Sequence, residues 1–238
     1  MASVTSFIRN LPASSLRAYF DHTGIVPPTP VNWDAEEPEV IRGALRAVDE
    51  MTDEERARVV NDGERVSAMA DDAGQIALYS VIEDRSVLDC RANGHDRAFW
   101  LFLNEPILFR HAEEVRYTDE KRRGRSWDGF IAPPNLDIRR DPVSLDAFKA
   151  SLRAHFGSNN AHVDIFERCR PTFDGEDSDL VQIAIYREGL PDDFLAFDGG
   201  GALVRRVRRP VYEAALTYEA STGVIEVVAS ERESREEM

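Results

Sequence analysis

Lysine is nearly missing from this chain: Lys121 and Lys149 are the only two, so almost all of the positive charge is arginine. Most chemistry that needs a lysine amine is thereby removed, although a GC-rich genome produces the same bias with no function behind it. Cysteine is equally scarce. Cys90 and Cys169 lie far apart among charged residues, which gives neither a disulfide framework nor a metal ligand set and reads as two ordinary reduced thiols. Positive charge as a whole is in deficit, 29 Lys and Arg against 44 Asp and Glu, for a formal net charge of -15. The resulting field repels polyanions unless the cations are segregated onto one face. No stretch approaches the roughly 20 apolar residues that a membrane span requires. The opening MASVTSFIRNLPASS has no apolar core behind a basic start, so no secretory signal is read and the cytoplasm is the expected location. No GK[ST] occurs, which excludes P-loop nucleotide hydrolysis.

What is present organises itself by period. Leu16, Tyr19 and Phe20 fall at helical spacing after Pro12, with Gly24 as a stop, and the proline-rich VPPTPVNW that follows must be extended, a linker or a strap across another element. From Pro38 to about Arg123 the helical period repeats. Ile41, Leu45 and Val48 mark one helix; Thr52 and Glu55 form a capping box opening the next, with Val59, Val66 and Met69; AGQIALYSVIEDRSVL reads as another; and Pro106 starts a further one that runs into the basic stretch. Residues 1–125 are therefore read as an α-helical domain and 126–141, with the paired prolines of GFIAPPNLDIRRDP, as a connection or edge strand.

Asp141 then caps a helix whose Leu145, Phe148, Leu152 and Phe156 share one face, and Gly157 ends it. Beyond it the period falls to two. AHVDIFERC, LVQIAIYRE, ALVRRVRR, VYEAALTYE and GVIEVVAS are five candidate strands whose loops, PDDFLAFDGGG among them, are too short for crossover helices. The expected fold is α+β: an all-α N-terminal half followed by a helix packed on a mostly antiparallel β-meander, with 142–230 as the α+β domain. Residues 231–238 read as a charged tail or the start of a truncated helix.

The search for chemistry returns little. The three glycines of DGGGALV lack G-x-G-x-x-G spacing and read as a hairpin connection. His162 and Asp164 alternate onto one strand face as a facial iron triad requires, yet no histidine follows His162. His111 and Glu113 lack the P-C-x-x-C partner of a zinc deaminase, Ser126 is not in G-x-S-x-G, and DGEDSD at 174–179 lacks the spacing of a calcium loop. Asp164, Glu213 and Glu226 sit on three strands at positions that can share a polar face, and three carboxylates so placed hold Mg²⁺ for phosphodiester cleavage; a solvated sheet face is the competing account.

Three arginine groups remain: Arg122, Arg123 and Arg125 beside Trp127; Arg139 and Arg140; and Arg205, Arg206, Arg208 and Arg209. Brought together they would clamp phosphates with Trp127 stacking on a base; kept apart, each pairs with a nearby carboxylate such as Asp119. On a strand Arg206 and Arg208 face opposite to Arg205 and Arg209, which divides the largest group. The expectation is a cytoplasmic, non-enzymatic protein-interaction or regulatory module that works with a protein partner, as a homo-oligomer or as part of a larger protein, without cofactor and without membrane. The alternative is a nucleic-acid or nucleotide-binding protein using Arg122, Arg123, Arg125, Trp127, Arg206 and Arg208, with metal-dependent phosphodiesterase activity at Asp164, Glu213 and Glu226.

Overall fold

The computed structural model of the chain describes residues 2–124, 126–171 and 177–230. Arg125, the first part of the DGEDSD loop and the 231–238 tail fall outside the described residues. The fold is α+β and divides into two compact units, Met1–Arg116 and Tyr117–Met238.

The first unit is helical: α1 (Ala2–Asn10), α2 (Ala13–Thr23), α3 (Glu37–Glu50), α4 (Asp53–Ala68), α5 (Asp72–Val81), α6 (Ser86–Asp89), α7 (Gly94–Asn104) and most of α8 (Pro106–Arg123). α2 behaves as its spacing predicts: Leu16, Tyr19 and Phe20 are buried, and Gly24 closes it in a left-handed conformation with its N–H on the Phe20 carbonyl. α1 precedes it and was not read from the sequence, although Val4, Phe7, Ile8 and the following Leu11 stand at helical spacing and the last three are each 1% exposed. Phe7 meets Tyr19 edge-on at 5.4 Å and lies 6.1 Å from Phe99 of α7, so three helices are joined by rings. The proline-rich segment is a strap: its Val31 and Trp33 pack with Val40 and Ala47 of α3. The buried stripe of α3 is Val40, Ala44, Ala47 and Val48, one position off the predicted Ile41 and Leu45, which are only partly buried.

Thr52 and Glu55 form the reciprocal capping box of α4, and Val59, Val66 and Met69 are buried. The single helix expected over AGQIALYSVIEDRSVL is two, α5 and α6. The chain turns extended at Ile82, and the Asp84 carboxylate accepts from both the N–H and the hydroxyl of Ser86, a local bond that competes with helix continuation.

The second unit is built on a five-stranded sheet of order β1-β7-β6-β3-β2, every neighbouring pair antiparallel, with β1 (Trp127–Ile131), β2 (Ala161–Pro171), β3 (Asp177–Glu188), β6 (Val211–Glu219) and β7 (Val224–Ala229). The 126–141 segment contributes the edge strand β1. Its continuation is tied to β6 by the Tyr218 hydroxyl, which donates to the Pro133 carbonyl and accepts from the Leu136 N–H. One sheet face receives α9 (Pro142–Phe156), where Leu145, Phe148, Leu152 and Phe156 cover Val163, Ile185, Ala214 and Ala229. Asp141 caps α9 through the Ser144 N–H, and Gly157 ends it at φ 61°.

ALVRRVRR does not join this sheet. β5 (Leu203–Arg208) pairs instead with β4 (Asp192–Phe197), a strand inside the segment expected to be a loop. The β3–β6 ladder ends at Glu188 opposite Val211, and the β4–β5 ladder begins at Asp192 opposite Arg208. Three residues, Gly189 to Pro191, thus face two, Arg209 and Pro210, a bulge that two prolines unable to donate enforce. The Gly189 N–H bonds the Pro210 carbonyl at 2.7 Å, and a Cβ on Gly189 would fall 2.4 Å from the Tyr212 ring. β4 and β5 therefore continue the β3–β6 hairpin as a two-stranded ribbon. At its tip the Asp198 carboxylate accepts from the Gly200 and Ala202 N–H groups.

Candidate functional site: a paired arginine cluster and an exposed ribbon

Strand register decides which polar residues meet. Across the sheet Phe166, Gln182, Thr217, Glu226 and Gly129 form one row, and Arg168, Leu180 and Glu219 fall in the next row on the same face. This is the face opposite α9, and residues 117–123 of α8 supply Thr118, Asp119 and Arg122 to it. Arg122 and Thr118 are one helical turn apart, so both point to the same side.

Arg168, with a side chain 1% exposed, makes two bonds to Asp119, Nη2 to Oδ1 at 2.9 Å and Nη1 to Oδ2 at 3.2 Å. Glu226, 5% exposed, accepts from Arg122 Nε at 2.8 Å on one oxygen, and from Arg170 Nη2 at 2.8 Å and the Thr217 hydroxyl at 3.2 Å on the other. Gln182 donates to the Thr118 hydroxyl at 3.0 Å, and Ser178 and Thr222 donate to Glu219. Burial pushes the Glu226 carboxyl up, but Arg170 and Arg122 outweigh it and hold the group below the usual carboxylate range. Burial pushes Arg168 down while Asp119 opposes the shift; a guanidinium starts so high that it stays charged. Arg168 Nε, Arg170 Nε and Gln182 Oε1 are buried without a hydrogen-bond partner among the described residues.

Beside this network lies a cleft of about 320 Å³ lined by Arg122, Arg170, Ser178, Thr217 and Glu226 with Leu180 among its apolar walls. The cations and carboxylates of the cluster balance: Arg122, Arg168 and Arg170 against Asp119, Glu219 and Glu226. Among these six described side chains no surplus of positive charge is left to hold a polyanion.

The sequence-derived candidates distribute as follows. Arg122 stands 5.8 Å from the ring of Trp127, which is 37% exposed on the edge strand, but its Nε is bound to Glu226. Arg123 is exposed at the end of α8, and Arg125 lies outside the described residues. Arg140 pairs with Glu167 at 2.9 Å. Arg206 and Arg208 are on the ribbon, where Arg208 stands 3.9 Å from Asp192 and 5.3 Å over Phe194. Ten residues of chain, with the bulge among them, separate the row of Glu226 from the first row of the ribbon that carries Arg206 and Arg208. Asp164, Glu213 and Glu226 share a face as alternation predicts, but in three different rows, and Asp164 and Glu226 are three strands, about 14 Å, apart. No group of three metal-ligating side chains occurs among the described residues.

Arg168 and Arg170 were missed. Their spacing of two on a strand, in register with the polar Gln182, Thr217 and Glu226, is the signal that placed them together.

The ribbon presents a different surface. Asp193, Leu195 and Phe197 of β4 and Leu203, Arg205 and Val207 of β5 lie on one face, and Leu195, Phe197, Leu203 and Val207 are 59–71% exposed. Arg205, directly opposite Leu195, has no ion pair or hydrogen bond among the described residues. Among the described residues no helix is long and apolar enough to cross a membrane. No protein-family description, no curated protein and no solved structure matches the chain.

Proposed function

We propose that the chain is a cytoplasmic, non-enzymatic interaction or regulatory module that docks on a protein partner through the β4–β5 ribbon. The observation that carries this is the exposed apolar face of Leu195, Phe197, Leu203 and Val207 on a sheet of only two strands. A two-stranded ribbon is marginal alone in water and gains stability when an apolar face is covered. Fully covering such a side chain stabilises by roughly 1.5–3 kcal/mol, so four that are about two-thirds exposed offer on the order of 4–8 kcal/mol before the costs of association.

The nucleic-acid alternative draws less support, because Arg122, Arg168, Arg170 and Arg208 stand beside carboxylates of the same chain. The test is recovery of the tagged full chain from extract of its own cells. A discrete complex, lost in a Leu195→Asp/Val207→Asp variant with an unchanged far-UV spectrum, supports the proposal; a chain recovered alone and monomeric removes it.

A further inference from the structure

We infer that the occupant of the ribbon face is an amphipathic α-helix of a partner protein, carrying an Asp or Glu within its apolar stripe opposite Arg205. This rests on the interaction reading above and goes further by naming the chemistry of the partner.

The exposed surface lies on the face of the ribbon and not along its edges. A strand added to β4 or β5 would satisfy edge N–H and C=O groups and still leave Leu195, Phe197, Leu203 and Val207 in water. An element laid on the face is required. Six residue pairs at about 3.3 Å per residue make a surface roughly 20 Å long, and two strands with their side chains are about 10 Å wide; that is the footprint of one helix of three to four turns. The same unit already covers its larger sheet in this way, with α9 across Val163, Ile185 and Ala214.

Charge specifies the helix further. Arg205 occupies the middle row, with Leu203 and Val207 on its own strand and Leu195 across from it. A wholly apolar helix would trap that guanidinium without a partner, which is costly, whereas one carboxylate at the stripe centre converts it into a charge-assisted pair inside an apolar surround. The other cations on β5 are on the opposite face, where Arg208 is already beside Asp192. Asp193 sits in the end row of the apolar face nearest the sheet, so an acidic residue is disfavoured there and favoured at the centre. A polynucleotide would meet four apolar side chains around a single cation, the reverse of what phosphates need.

The test is selection of a display library of 18-residue peptides on the full chain, with leucine fixed at helical spacing and the remaining positions randomised. Counter-selection uses the Leu195→Asp/Val207→Asp variant. The expected result is enrichment of Asp or Glu at the centre of the stripe, binding that falls about tenfold or more when that residue becomes Gln, and an inverted preference, Arg over Glu, in Arg205→Glu. Enriched peptides without a central acid, bound equally by Arg205→Glu, would overturn the charge assignment while leaving the ribbon as the docking surface. Failure to enrich any peptide against the double variant would overturn the helix itself. A chain that sediments as a dimer, and as a monomer when Leu195 and Val207 are replaced, would make the occupant a second copy and also overturn the inference.

Discussion

Replacing Asp119 with alanine strands the guanidinium of Arg168, whose side chain is 1% exposed and whose two bonds to that carboxylate measure 2.9 and 3.2 Å. Breaking a buried pair from one side typically costs about 3–5 kcal/mol, because the remaining charge stays desolvated. Asp119 is itself 23% exposed, so water reaches one side of the pair and the expected cost falls to roughly 2–4 kcal/mol. In a unit of this size that lowers the midpoint of thermal unfolding by about 10 °C. Urea unfolding followed by tryptophan fluorescence in a Trp33→Phe/Trp100→Phe background reads the second unit alone, since Trp127 is then the one tryptophan left. The compensated variant Asp119→Leu/Arg168→Met removes both charges and is expected to recover most of the loss, because it also removes Arg168 Nε, which has no partner among the described residues, and because Arg170, 3.8 Å from Asp119, keeps its closer bond to Glu226. A cost below about 1 kcal/mol for Asp119→Ala, or a double variant less stable than the single one, would refute the description of Arg168 as a dry, paired cation.

Glu226 makes the second unit acid-sensitive. Its folded-state pKa lies below the usual 4.5, so its contribution is complete above that value and disappears as pH falls through the lower folded value; in Glu226→Gln the decline of stability below pH 4.5 should be shallower, as denaturation at pH 3 and pH 6 would record. Gly223 turns β6 into β7 at φ 75°, and a Cβ there would fall 2.1 Å from the Ala132 carbonyl oxygen; Gly223→Ala should lose about 2 kcal/mol or more in chemical unfolding, and equal stability would count against this hairpin. Thr52→Ala removes the capping box of α4 and is expected to cost about 1 kcal/mol by the same measurement, with Thr52→Ser close to neutral.

Local order was readable wherever the signal was itself local. The capping box at Thr52, the stop at Gly24, the cap at Asp141 and the four-residue stripe of α9 depend on neighbours within a few positions, and each appears where the spacing puts it. α1 carried a local signal that went unread, Val4, Phe7, Ile8 and Leu11 at helical spacing, whereas β4 had none to offer. β4 is six residues of which none is buried, Leu195 and Phe197 being exposed and Phe194 and Ala196 half-buried, so its burial pattern carries no core signal, and its strand character comes from pairing with β5. The split between α5 and α6 was hidden because helix propensity continues through a segment that a single Asp84 side chain interrupts.

The amino-acid sequence by itself determined the change from helical to alternating period near residue 160, and with it the α+β class, because each period is a property of the backbone and needs no distant partner. It also determined that Arg206 and Arg208 oppose Arg205 across their strand. Only the tertiary structure decided which cations are neutralised. The partners of Arg122, Arg168 and Arg170 lie 49 to 104 residues away along the chain, brought within reach by strand register and by the end of α8. Only the tertiary structure, too, left Arg205 without an ion pair or hydrogen bond among the described residues, set among exposed leucine, phenylalanine and valine, because two prolines and a bulge part the β4–β5 ribbon from the ladder that would otherwise have carried it into the sheet.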